Sequence, residues 1–553
     1  MHFTVLNIAL AQINPTVGDV EGNIGCLRAA RGEAAGADLV ICGEMASAGY
    51  PPEDLVLKPV FQERIERAVT SFAGETGDGG PAVLLGSPWR LEGKLYNAAL
   101  LLEGGHIAAL RLKHRLPNYG VFDEKRLFSA GPNPEPVDFR GCRLGVMVCE
   151  DMWTPAVSRH LKERGAEVLL VLNGSPFEVD KMDARRDMAK ARAAESGLSV
   201  VYVNLIGGQD ELVFDGASFV VDPGGAVLVQ AASWKTQVVD TLWRKGAGGW
   251  ACAQGPLAET PERLESIYRA LVTGLDDYVA KNGFPGVVIG LSGGVDSALT
   301  AAVAVDALGA ERVMTVMMPS PHTSTESLDD AAEVARLLGV GLKTVSIEPA
   351  MKAFAGMLEE AFAGRQADVA EENIQARSRA LVLMALSNKL GHMVLTTGNK
   401  SEMSVGFATL YGDMCGGYSV LKDVYKTEVF ALARWRNAHQ PEDGRGPVGP
   451  VMPENVIAKP PSAELRPNQT DQDTLPDYAV LDAILECLVE EERSAAEAVA
   501  QGFDADTVRM VWRMLDRAEY KRRQAPPGVK ITSRAFGRDR RYPITNRLTD
   551  MDI

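Results

Sequence analysis

The sequence predicts an α/β protein of two domains, and three observations lead to this prediction. The chain has 553 residues, which is too long for one ordinary hydrophobic core. Its first 240 residues contain many short apolar runs with interspersed helical patterns, whereas the second half alternates strand and helix regularly. A glycine run at 245–250, followed by prolines up to Pro261, separates the two patterns. We therefore expect domains at 1–245 and 262–553, joined by a linker at 246–261.

In the first domain, the apolar runs are of strand length. Residues 3–11 form a run that ends in Ala-Leu-Ala, as a signal cleavage site does, but no basic segment precedes it, so we interpret it as a first strand. The sequence Asp222-Pro-Gly-Gly225 between two apolar runs predicts a hairpin. Further strands are predicted at 38–42, 82–85, 144–149, 167–173 and 199–205.

The second domain begins with a predicted helix at 262–281 and continues as βαβ units. Strands that alternate with helices in this way indicate a parallel sheet. A segment rich in proline and glycine runs from 439 to 476, and such long irregular stretches are usually functional or disordered. The strands are predicted at 287–291, 313–317 and 342–345, and the helices at 295–308 and 324–338.

Composition excludes several classes of function. A net charge of −16 argues against a general nucleic-acid binder, which needs excess lysine and arginine. No apolar run is long enough to cross a bilayer. Seven cysteines without a CxxC pair indicate neither a disulfide framework nor a structural zinc site. A reducing cytoplasm is the expected location.

A glycine-rich turn lies directly between the predicted strand at 287–291 and the helix at 295–308. Backbone amides at such a turn, together with the helix N-terminus, bind phosphate. Gly293 and Gly294 let the backbone approach the ligand, Ser292 and Ser297 can donate hydroxyls, and Asp296 can hold Mg²⁺. The turn has the sequence Gly290-Leu291-Ser292-Gly293-Gly294-Val295-Asp296-Ser297.

This turn lacks the GKS ending of a Walker A loop and resembles the SGGxDS loop of the ATP pyrophosphatase family. The resemblance implies a doubly wound parallel sheet of the adenine nucleotide α-hydrolase type, with ATP bound at the loop. GMP synthetases, asparagine synthetases and tRNA-thiolating enzymes share this loop, so it does not fix the product.

Three later segments, at 371–377, 396–402 and 411–413, resemble the NAD⁺ synthetase pattern in order and spacing. By this resemblance, Asn373 and Glu402 contact deamido-NAD⁺, and Thr397 contacts ATP. Glu402 also helps to hold Mg²⁺ beside Asp296, and Lys521 is a basic contact to the substrate. Two further lysines, Lys400 and Lys422, are expected to neutralise phosphate charge.

A second chemistry is predicted in the first domain, where three polar residues lie at strand ends. Glu44 follows the strand at 38–42, Lys113 ends an alternating run at 107–113, and Cys149 ends the strand at 144–149. Such a set can hydrolyse an amide: Cys149 attacks the carbonyl, Glu44 transfers the proton, and Lys113 stabilises the oxyanion together with a backbone amide. The charge of Lys113 is also expected to favour the thiolate of Cys149.

The residues around this set, at 43–45, 112–119 and 148–153, resemble the glutaminases of the nitrilase superfamily. The resemblance implies a nitrilase-like α-β-β-α sandwich, and Glu124 as a second glutamate. It also implies that Tyr119, Ser175 and Lys181 bind the glutamine. His114 is a rival base for Cys149, but no papain-like signature surrounds the cysteine, so we assign it no catalytic role.

Together, the two motif sets resemble the glutamine-dependent NAD⁺ synthetase family over nearly the whole chain. The implied reaction releases ammonia from glutamine, activates deamido-NAD⁺ with ATP and Mg²⁺ as an acyl-adenylate, and forms NAD⁺, AMP and pyrophosphate. The resemblance also implies a homo-oligomer, and a mobile loop over the ATP site at 459–465. For residues 439–456, a lid and a disordered linker are equally open.

Two other classes of function stay open at this point. One is a different amidotransferase built on the same phosphate loop, which would use ATP and ammonia without deamido-NAD⁺. The other is a binding or scaffold protein with decayed sites, although the intact Glu44, Lys113, Cys149 and phosphate loop argue against it. A tRNA-modifying role would need a basic surface or an added RNA-binding module, and the sequence has neither.

Overall fold

The computed structural model describes residues 4–467 and 469–548. Its contacts divide the chain into two compact units, Met1–Glu262 and Arg263–Ile553. Among the described residues, no helix is both long and apolar enough to cross a membrane.

The first unit is built mainly of strands. Its helices are α1 (Val20–Glu33), α2 (Pro59–Glu75), α3 (Glu124–Leu127), α4 (Pro155–Glu163) and α5 (Lys181–Ser196). Its strands are β1 (Val5–Gln12), β2 (Leu39–Ile41), β3 (Ala82–Leu91), β4 (Lys94–Glu103), β5 (His106–Leu112), β6 (Val137–Phe139), β7 (Cys142–Val148), β8 (Val168–Leu172), β9 (Val200–Val203), β10 (Ile206–Gln209), β11 (Leu212–Asp215), β12 (Phe219–Val221), β13 (Val227–Gln230), β14 (Gln237–Gly246) and β15 (Gly249–Cys252).

These strands form two large sheets and a small hairpin. The seven-stranded sheet has the order β15-β14-β1-β2-β3-β4-β5, the six-stranded sheet has the order β13-β12-β9-β8-β7-β6, and β10 pairs with β11. The predicted hairpin at Asp222–Gly225 joins β12 and β13, which pair antiparallel.

The alternation of side chains along the strands explains how the two sheets stack. In β1, Ile8 and Leu10 pack against the other sheet, whereas Ala9 and Ala11 pack against helices α1 and α2. In β7, Val146 faces the first sheet while Met147 packs against α4 and α5. Because both faces of each sheet are covered by apolar side chains, the layers follow the order α-β-β-α. The predicted sandwich is therefore present.

The segment expected to be a linker belongs to the first unit instead. Residues 249–252 form β15, which pairs antiparallel with β14, so the glycine run is a hairpin turn. The chain after β15 also bonds to β13, since the amide of Gln230 donates to the carbonyl of Pro256 and the amide of Ala258 donates to the carbonyl of Gln230. A run of glycines permits a tight turn as readily as a linker, which is why the sequence pattern misplaced this boundary.

The second unit is an α/β domain with an added helical region. Its strands are β16 (Val287–Gly290), β17 (Val313–Met317), β18 (Leu342–Thr344), β19 (Met393–Thr396) and β20 (Tyr418–Ser419). Its helices are α6 (Arg263–Lys281), α7 (Val295–Leu308), α8 (Thr325–Leu338), α9 (Glu348–Leu358), α10 (Val369–Leu390), α11 (Lys400–Val405), α12 (Lys426–Ala438), α13 (Glu454–Ala458), α14 (Tyr478–Leu485), α15 (Ala495–Ala500), α16 (Ala505–Arg517) and α17 (Glu519–Arg522).

The five strands of this unit form a parallel sheet of order β18-β17-β16-β19-β20. The chain runs outward from β16 to β18 and then returns to the other side of β16, so strand order reverses between β16 and β19. In open parallel sheets, ligands bind at the carboxyl ends of the strands beside such a reversal. The phosphate loop follows β16 and the 396–402 segment follows β19, so both motifs lie at this position.

Residues 439–456 are packed against the second unit, which argues against a disordered linker. Val451 and Met452 are buried, and their backbone amides donate to the side-chain oxygen of Asn437 at 2.9 and 3.0 Å. Further along, the carboxylate of Glu464 accepts from the hydroxyls of Ser324 and Ser327, both at 2.8 Å. The segment at 459–465 therefore lies against the N-terminus of α8, next to the phosphate loop.

Candidate active sites

Cys149 lies at a sharp turn between a strand and a short helix. Strand β7 ends at Val148, and a 3₁₀ turn follows at Cys149–Met152. The φ angle of Cys149 is +43°, a left-handed conformation that a residue with a Cβ rarely adopts. Backbone strain of this kind persists only where the surroundings enforce it, and it clusters at active sites. The turn places the thiol at the carboxyl edge of the sheet.

Glu44 and Lys113 form a buried ion pair beside this edge. The Lys113 Nζ donates to Glu44 Oε1 at 2.7 Å, and both side chains are 0% exposed. The other bonds to Glu44 come from Asn97 Nδ2, at 2.6 Å to Oε1, and from the amide of Gly174, at 3.0 Å to Oε2. Because both carboxylate oxygens accept hydrogen bonds, the orientation of Glu44 is fixed before substrate arrives.

Glu124 completes the buried charge set, as the resemblance implies. Its Oε1 accepts from Lys113 Nζ at 2.8 Å and from the hydroxyl of Tyr50 at 3.1 Å. Burial raises the pKa of Glu124 to about 7, against the lowering effect of the Lys113 ammonium. The ammonium thus bridges two carboxylates, one of which titrates near neutral pH.

The charge of Lys113 favours the thiolate of Cys149, as expected from the sequence, but burial and Glu44 act in the opposite direction. Burial raises the pKa of the Cys149 thiol well above its ordinary value, and the charge of Glu44 raises it further. Lys113 lowers that pKa, but not by enough, because its ammonium is already paired with two carboxylates. Burial would lower the pKa of Lys113 itself, yet Glu124 and Glu44 raise it well above its usual range. The resting site therefore holds a neutral thiol and a charged lysine.

Asp151, which lies within the 148–153 motif, ties the turn at Cys149 to the loop that follows Lys113. Its carboxylate accepts from the amides of His114 at 3.1 Å, Arg115 at 2.8 Å and Val148 at 3.1 Å. Burial raises its pKa to about 6. The ring Nδ1 of His114 lies 2.8 Å from the carbonyl of Gly131, so the local contacts of His114 are with backbone and Asp151.

Two of the predicted glutamine-binding residues lie around one aromatic ring. Tyr119 packs edge-on against Phe122, with ring centroids 5.6 Å apart, and the Lys181 Nζ lies 5.9 Å from the centroid of the same ring. The Tyr119 hydroxyl donates to Glu150 Oε2 at 2.8 Å, and Lys181 pairs with Glu178 at 3.0 Å. Glu150 directly follows Cys149 in the chain, so this group of polar side chains begins beside the thiol.

Ser175, the third predicted glutamine-binding residue, is held by a buried ion pair. Arg185 pairs with Asp215 at 2.7 Å, and both side chains are almost fully buried. The Arg185 Nε donates to Ser175 Oγ at 3.1 Å, and its Nη2 donates to the Ser175 carbonyl at 2.8 Å. The amide of Ser175 donates to the side-chain oxygen of Asn204 at 2.9 Å.

In the second unit, the phosphate loop is stabilised by its own hydroxyls. Ser297 Oγ accepts from the amide of Ser292 at 3.2 Å and donates to the carbonyl of Gly294 at 2.9 Å. Gly293 has a φ angle of +85°, and a Cβ there would lie 2.3 Å from the carbonyl oxygen of Ser327, so only glycine fits. Among the other loop residues, Gly290 is the last residue of β16 and Val295 is the first residue of α7. Between them, the Leu291 amide donates to the carbonyl of Val316.

Asp296 and Glu402 meet at one cation, although 106 positions separate them in sequence. The ammonium of Lys426 bonds to Asp296 Oδ2 and lies 3.3 Å from Glu402 Oε1. Asn399 donates from Nδ2 to the other oxygen of Asp296 at 2.8 Å. Burial raises the pKa of Glu402 to about 8, an effect that Lys426 opposes and Asp296 reinforces.

These residues fit the predicted magnesium ion by the chemistry of their donor atoms. Mg²⁺ is usually bound by one or two carboxylates together with substrate phosphates and water. Asp296 and Glu402 supply two carboxylates that already face one positive charge, beside a loop whose geometry suits phosphate.

A small pocket adjoins Glu402. Thr397 lies between two of its lining residues. The predicted substrate residues bond to the loop at 406–413: the Thr409 hydroxyl donates to Asn373 Oδ1 at 2.8 Å, and Lys521 Nζ donates to the carbonyls of Gly406 and Ala408, both at 2.7 Å. The lining residues are Thr396, Gly398, Glu402, Met403, Ala408, Asp413, Met414, Ser419, Ala525 and Pro526.

The two lysines expected to neutralise phosphate charge have different surroundings. Lys400 is fully buried, and its ammonium pairs with Asp423 at 2.7 Å and also with Glu490. Lys422 donates to the carbonyl of Pro526 at 2.8 Å. The cation beside Asp296 is Lys426, the first residue of α12, which no local pattern distinguished.

Comparison with known proteins identifies both halves. Residues 7–243 match the family model for carbon-nitrogen hydrolases, and residues 267–525 match the model for NAD synthases. The two matches define the class of protein: a carbon-nitrogen hydrolase joined in one chain to an NAD synthase.

Full-length relatives narrow this class. The chain is 51% identical over 545 residues to the glutamine-dependent NAD(+) synthetase of Rhodobacter capsulatus, which covers 98% of this chain and 99% of the relative. It is 48% identical over 553 residues to that of Xanthomonas campestris, with 98% and 97% covered. A solved Acinetobacter baumannii glutamine-dependent NAD+ synthetase in complex with ADP is 43% identical with a TM-score of 0.78, and 98% of each chain is covered. The chain belongs to the family of glutamine-dependent NAD(+) synthetases.

Proposed function

We propose that this enzyme makes NAD⁺ from deamido-NAD⁺, ATP and the amide nitrogen of glutamine, the last step of NAD⁺ biosynthesis. The observation that carries the proposal is the presence, in one chain, of a buried Glu44–Lys113–Cys149 set and a phosphate loop with carboxylates at its edge. The first site suits hydrolysis of a small amide, and the second suits activation of a carboxylate by ATP.

The first half-reaction releases ammonia. Because the resting thiol of Cys149 is neutral, its proton moves to Glu44 as sulfur attacks the amide carbon of glutamine. The Lys113 ammonium and a backbone amide stabilise the oxyanion. Glu44 returns the proton to the leaving nitrogen, and ammonia departs from a thioester on Cys149. Glu44 then activates the water that hydrolyses this thioester to glutamate.

The second half-reaction forms the amide. The nicotinate carboxylate of deamido-NAD⁺ attacks the α-phosphorus of ATP, and pyrophosphate leaves from the loop at 290–297. Ammonia attacks the resulting acyl-adenylate, and AMP leaves with the electron pair of the broken bond. Activation is needed because a carboxylate is a poor electrophile. When bound by Asp296 and Glu402, Mg²⁺ would neutralise phosphate charge. Lys426 is placed to contribute a fixed positive charge at the same point.

Binding of deamido-NAD⁺ is assigned to the cavity beside Glu402, with Asn373 and Lys521 at the loop that borders it. In the first site, binding of glutamine is assigned to Tyr119, Ser175 and Lys181.

All seven cysteines are unpaired thiols, which supports a reducing compartment such as the cytoplasm.

A homo-oligomer is also proposed, through the face formed by α9 and α10. Helix α9 has no buried residue, and α10 exposes Leu381 at 65%. Apolar faces of this kind mark protein interfaces. Light scattering of the wild type and of Leu381→Glu tests this: the variant should have a lower mass, and a monomeric wild type would refute the proposal.

The test of the reaction mixes the enzyme with ATP, Mg²⁺, deamido-NAD⁺ and an ammonium salt. NAD⁺, AMP and pyrophosphate should form in equal amounts. Formation of ADP and phosphate would refute the adenylate route. Consumption of ATP with another carboxylic acid, but not with deamido-NAD⁺, would favour a different amidotransferase.

A further inference from the structure

Asn399 occupies a buried position between Asp296 and the backbone of the helix that carries Glu402. It is 0% exposed and lies between strand β19 and the six-residue helix α11. Its Oδ1 accepts from the amide of Glu402 at 3.0 Å, so it caps the helix that carries Glu402. Its Nδ2 donates to Asp296 Oδ1 at 2.8 Å. One side chain thus contacts both the phosphate loop and the helix of Glu402.

The orientation of this amide follows from its partners. The backbone N–H of Glu402 can only donate, so the atom that faces it must be the oxygen of Asn399. The nitrogen then faces the carboxylate of Asp296, which can only accept when ionised. Because the other oxygen of Asp296 bonds to Lys426, both oxygens are held. Asp296 is therefore oriented by two donors that come from outside its own loop.

Capping alone does not require asparagine at this position. Serine and threonine cap helices about as well, but their side chains are too short to reach a second element. Aspartate has nearly the same shape as asparagine, but its carboxylate has no hydrogen to donate to Asp296. Asparagine combines an acceptor for the helix with a donor for the loop.

We propose that Asn399 is a positioning residue: it sets the carboxylate of Asp296 relative to Glu402 and so prepares the site that binds ATP with magnesium. This inference rests on the proposed function of the two carboxylates. Asp296 and Glu402 follow neighbouring parallel strands but belong to separate loops, and their carboxylates repel each other whenever both are ionised. The hydrogen bonds of Asn399 fix the position of one loop relative to the other without adding a negative charge.

The test uses Asn399→Ser and Asn399→Thr, which keep the helix cap and remove the bridge. ATP affinity is measured by calorimetry with magnesium and with a chelator. We expect the affinity for ATP with magnesium to fall about tenfold, because a hydrogen bond to a charged group is lost. The affinity for metal-free ATP, the melting temperature and the glutaminase rate should stay near those of the wild type.

A matched control is Asp504→Ser, a change that also preserves a helix cap, since Asp504 caps α16 through the amide of Thr507 at 2.9 Å. This variant should bind ATP like the wild type under both conditions. Equal losses with and without magnesium, or no loss in either variant, would overturn the role of Asn399. If instead the wild type binds ATP equally well with and without magnesium, the proposed magnesium site is wrong.

Discussion

The two sites differ in how much solvent they admit. In the first unit, the side chains of Glu44 and Lys113 are 0% exposed, and their charges are paired before substrate binds. In the second unit, the carboxylates of Asp296 and Glu402 are each 18% exposed, and Glu402 lines a pocket. Attack on a small neutral amide needs a dry, preformed set of groups. Binding of two nucleotides needs a site that is open to solvent, with charged groups that pair with the phosphates and metal of the ligands.

The largest effect is expected from a substitution that abolishes the activity of the first site and leaves that of the second site intact. Cys149→Ala removes the proposed nucleophile, so glutamine-driven NAD⁺ synthesis should fall by about 10⁴-fold or more. Synthesis from ammonium should remain near the wild-type rate, because the second unit keeps all of its groups. Both rates are measured by NAD⁺ formation. The control is Cys42→Ala, at a buried cysteine outside the charge set, which should keep both activities. Loss of both activities in Cys149→Ala would mean that the chemistry has been divided wrongly.

A smaller effect is expected from the phosphate loop. In Gly293→Ala, the new Cβ would meet the carbonyl oxygen of Ser327 at 2.3 Å, and φ is +85°. Relief of this clash must move the loop, so ATP affinity should fall by about tenfold or more, as strain of a few kcal/mol implies. In Gly294→Ala, the nearest atom would lie at 3.5 Å, so the loss should be clearly less. The ATP affinities of both variants are measured by calorimetry. Equal affinities for the two variants would contradict the steric explanation.

The pH dependence of the first site should come from Glu124. Its pKa is raised to about 7, so it is protonated below that pH and ionised above it. Once Glu124 is protonated, the Lys113 ammonium pairs with Glu44 alone. This stronger pairing makes Glu44 a weaker acceptor for the proton of Cys149. The glutaminase rate should therefore fall as pH drops through about 7.

Glu124→Gln imitates the protonated form at every pH, and its rate at pH 8 should be about tenfold below that of the wild type. The acid limb near pH 7 should be absent from its profile. A profile with the wild-type limb intact would assign that limb to another group.

The smallest expected effect concerns glutamine recognition. Tyr119→Phe keeps the ring contact with Phe122 and removes the hydroxyl that bonds to Glu150. The KM for glutamine should rise by about three- to tenfold with little change in kcat, as loss of one hydrogen bond implies. Tyr520→Phe, at an exposed tyrosine of the second unit, is the control. An unchanged KM in Tyr119→Phe would remove this residue from the glutamine site.

The sequence predicted the parts of each site that local pattern can encode. Glu44, Lys113 and Cys149 each end or follow an apolar strand, and the phosphate loop stands between a strand and a helix. Local pattern could not predict side-chain contacts between residues that are far apart in the sequence. Lys426 is 130 residues from Asp296, and Asp151 lies 36 residues from the loop amide of Arg115. Lys426 has no distinctive neighbourhood in the sequence, and the motif around Asp151 does not reveal which distant amides its carboxylate accepts from.

Local pattern also misled at particular residues. Lys400 was expected to neutralise phosphate charge. In the structure, however, its side chain is fully buried with Asp423. A side chain's direction depends on the packing of its helix, and proximity in sequence does not fix it. The charge of Lys113 does favour the thiolate at Cys149, but the sequence could not show how strongly burial raises the pKa of this thiol.

The central claim is that nitrogen released at Cys149 is the nitrogen that the second unit incorporates. It is tested most directly by supplying glutamine labelled with nitrogen-15 at its amide, together with ATP, Mg²⁺ and deamido-NAD⁺, and by measuring the label in NAD⁺ by mass spectrometry. The wild type should place the label in the carboxamide of NAD⁺, whereas Cys149→Ala should incorporate label only from labelled ammonium. Labelled NAD⁺ formed from glutamine by Cys149→Ala, or unlabelled NAD⁺ formed by the wild type, would contradict the account.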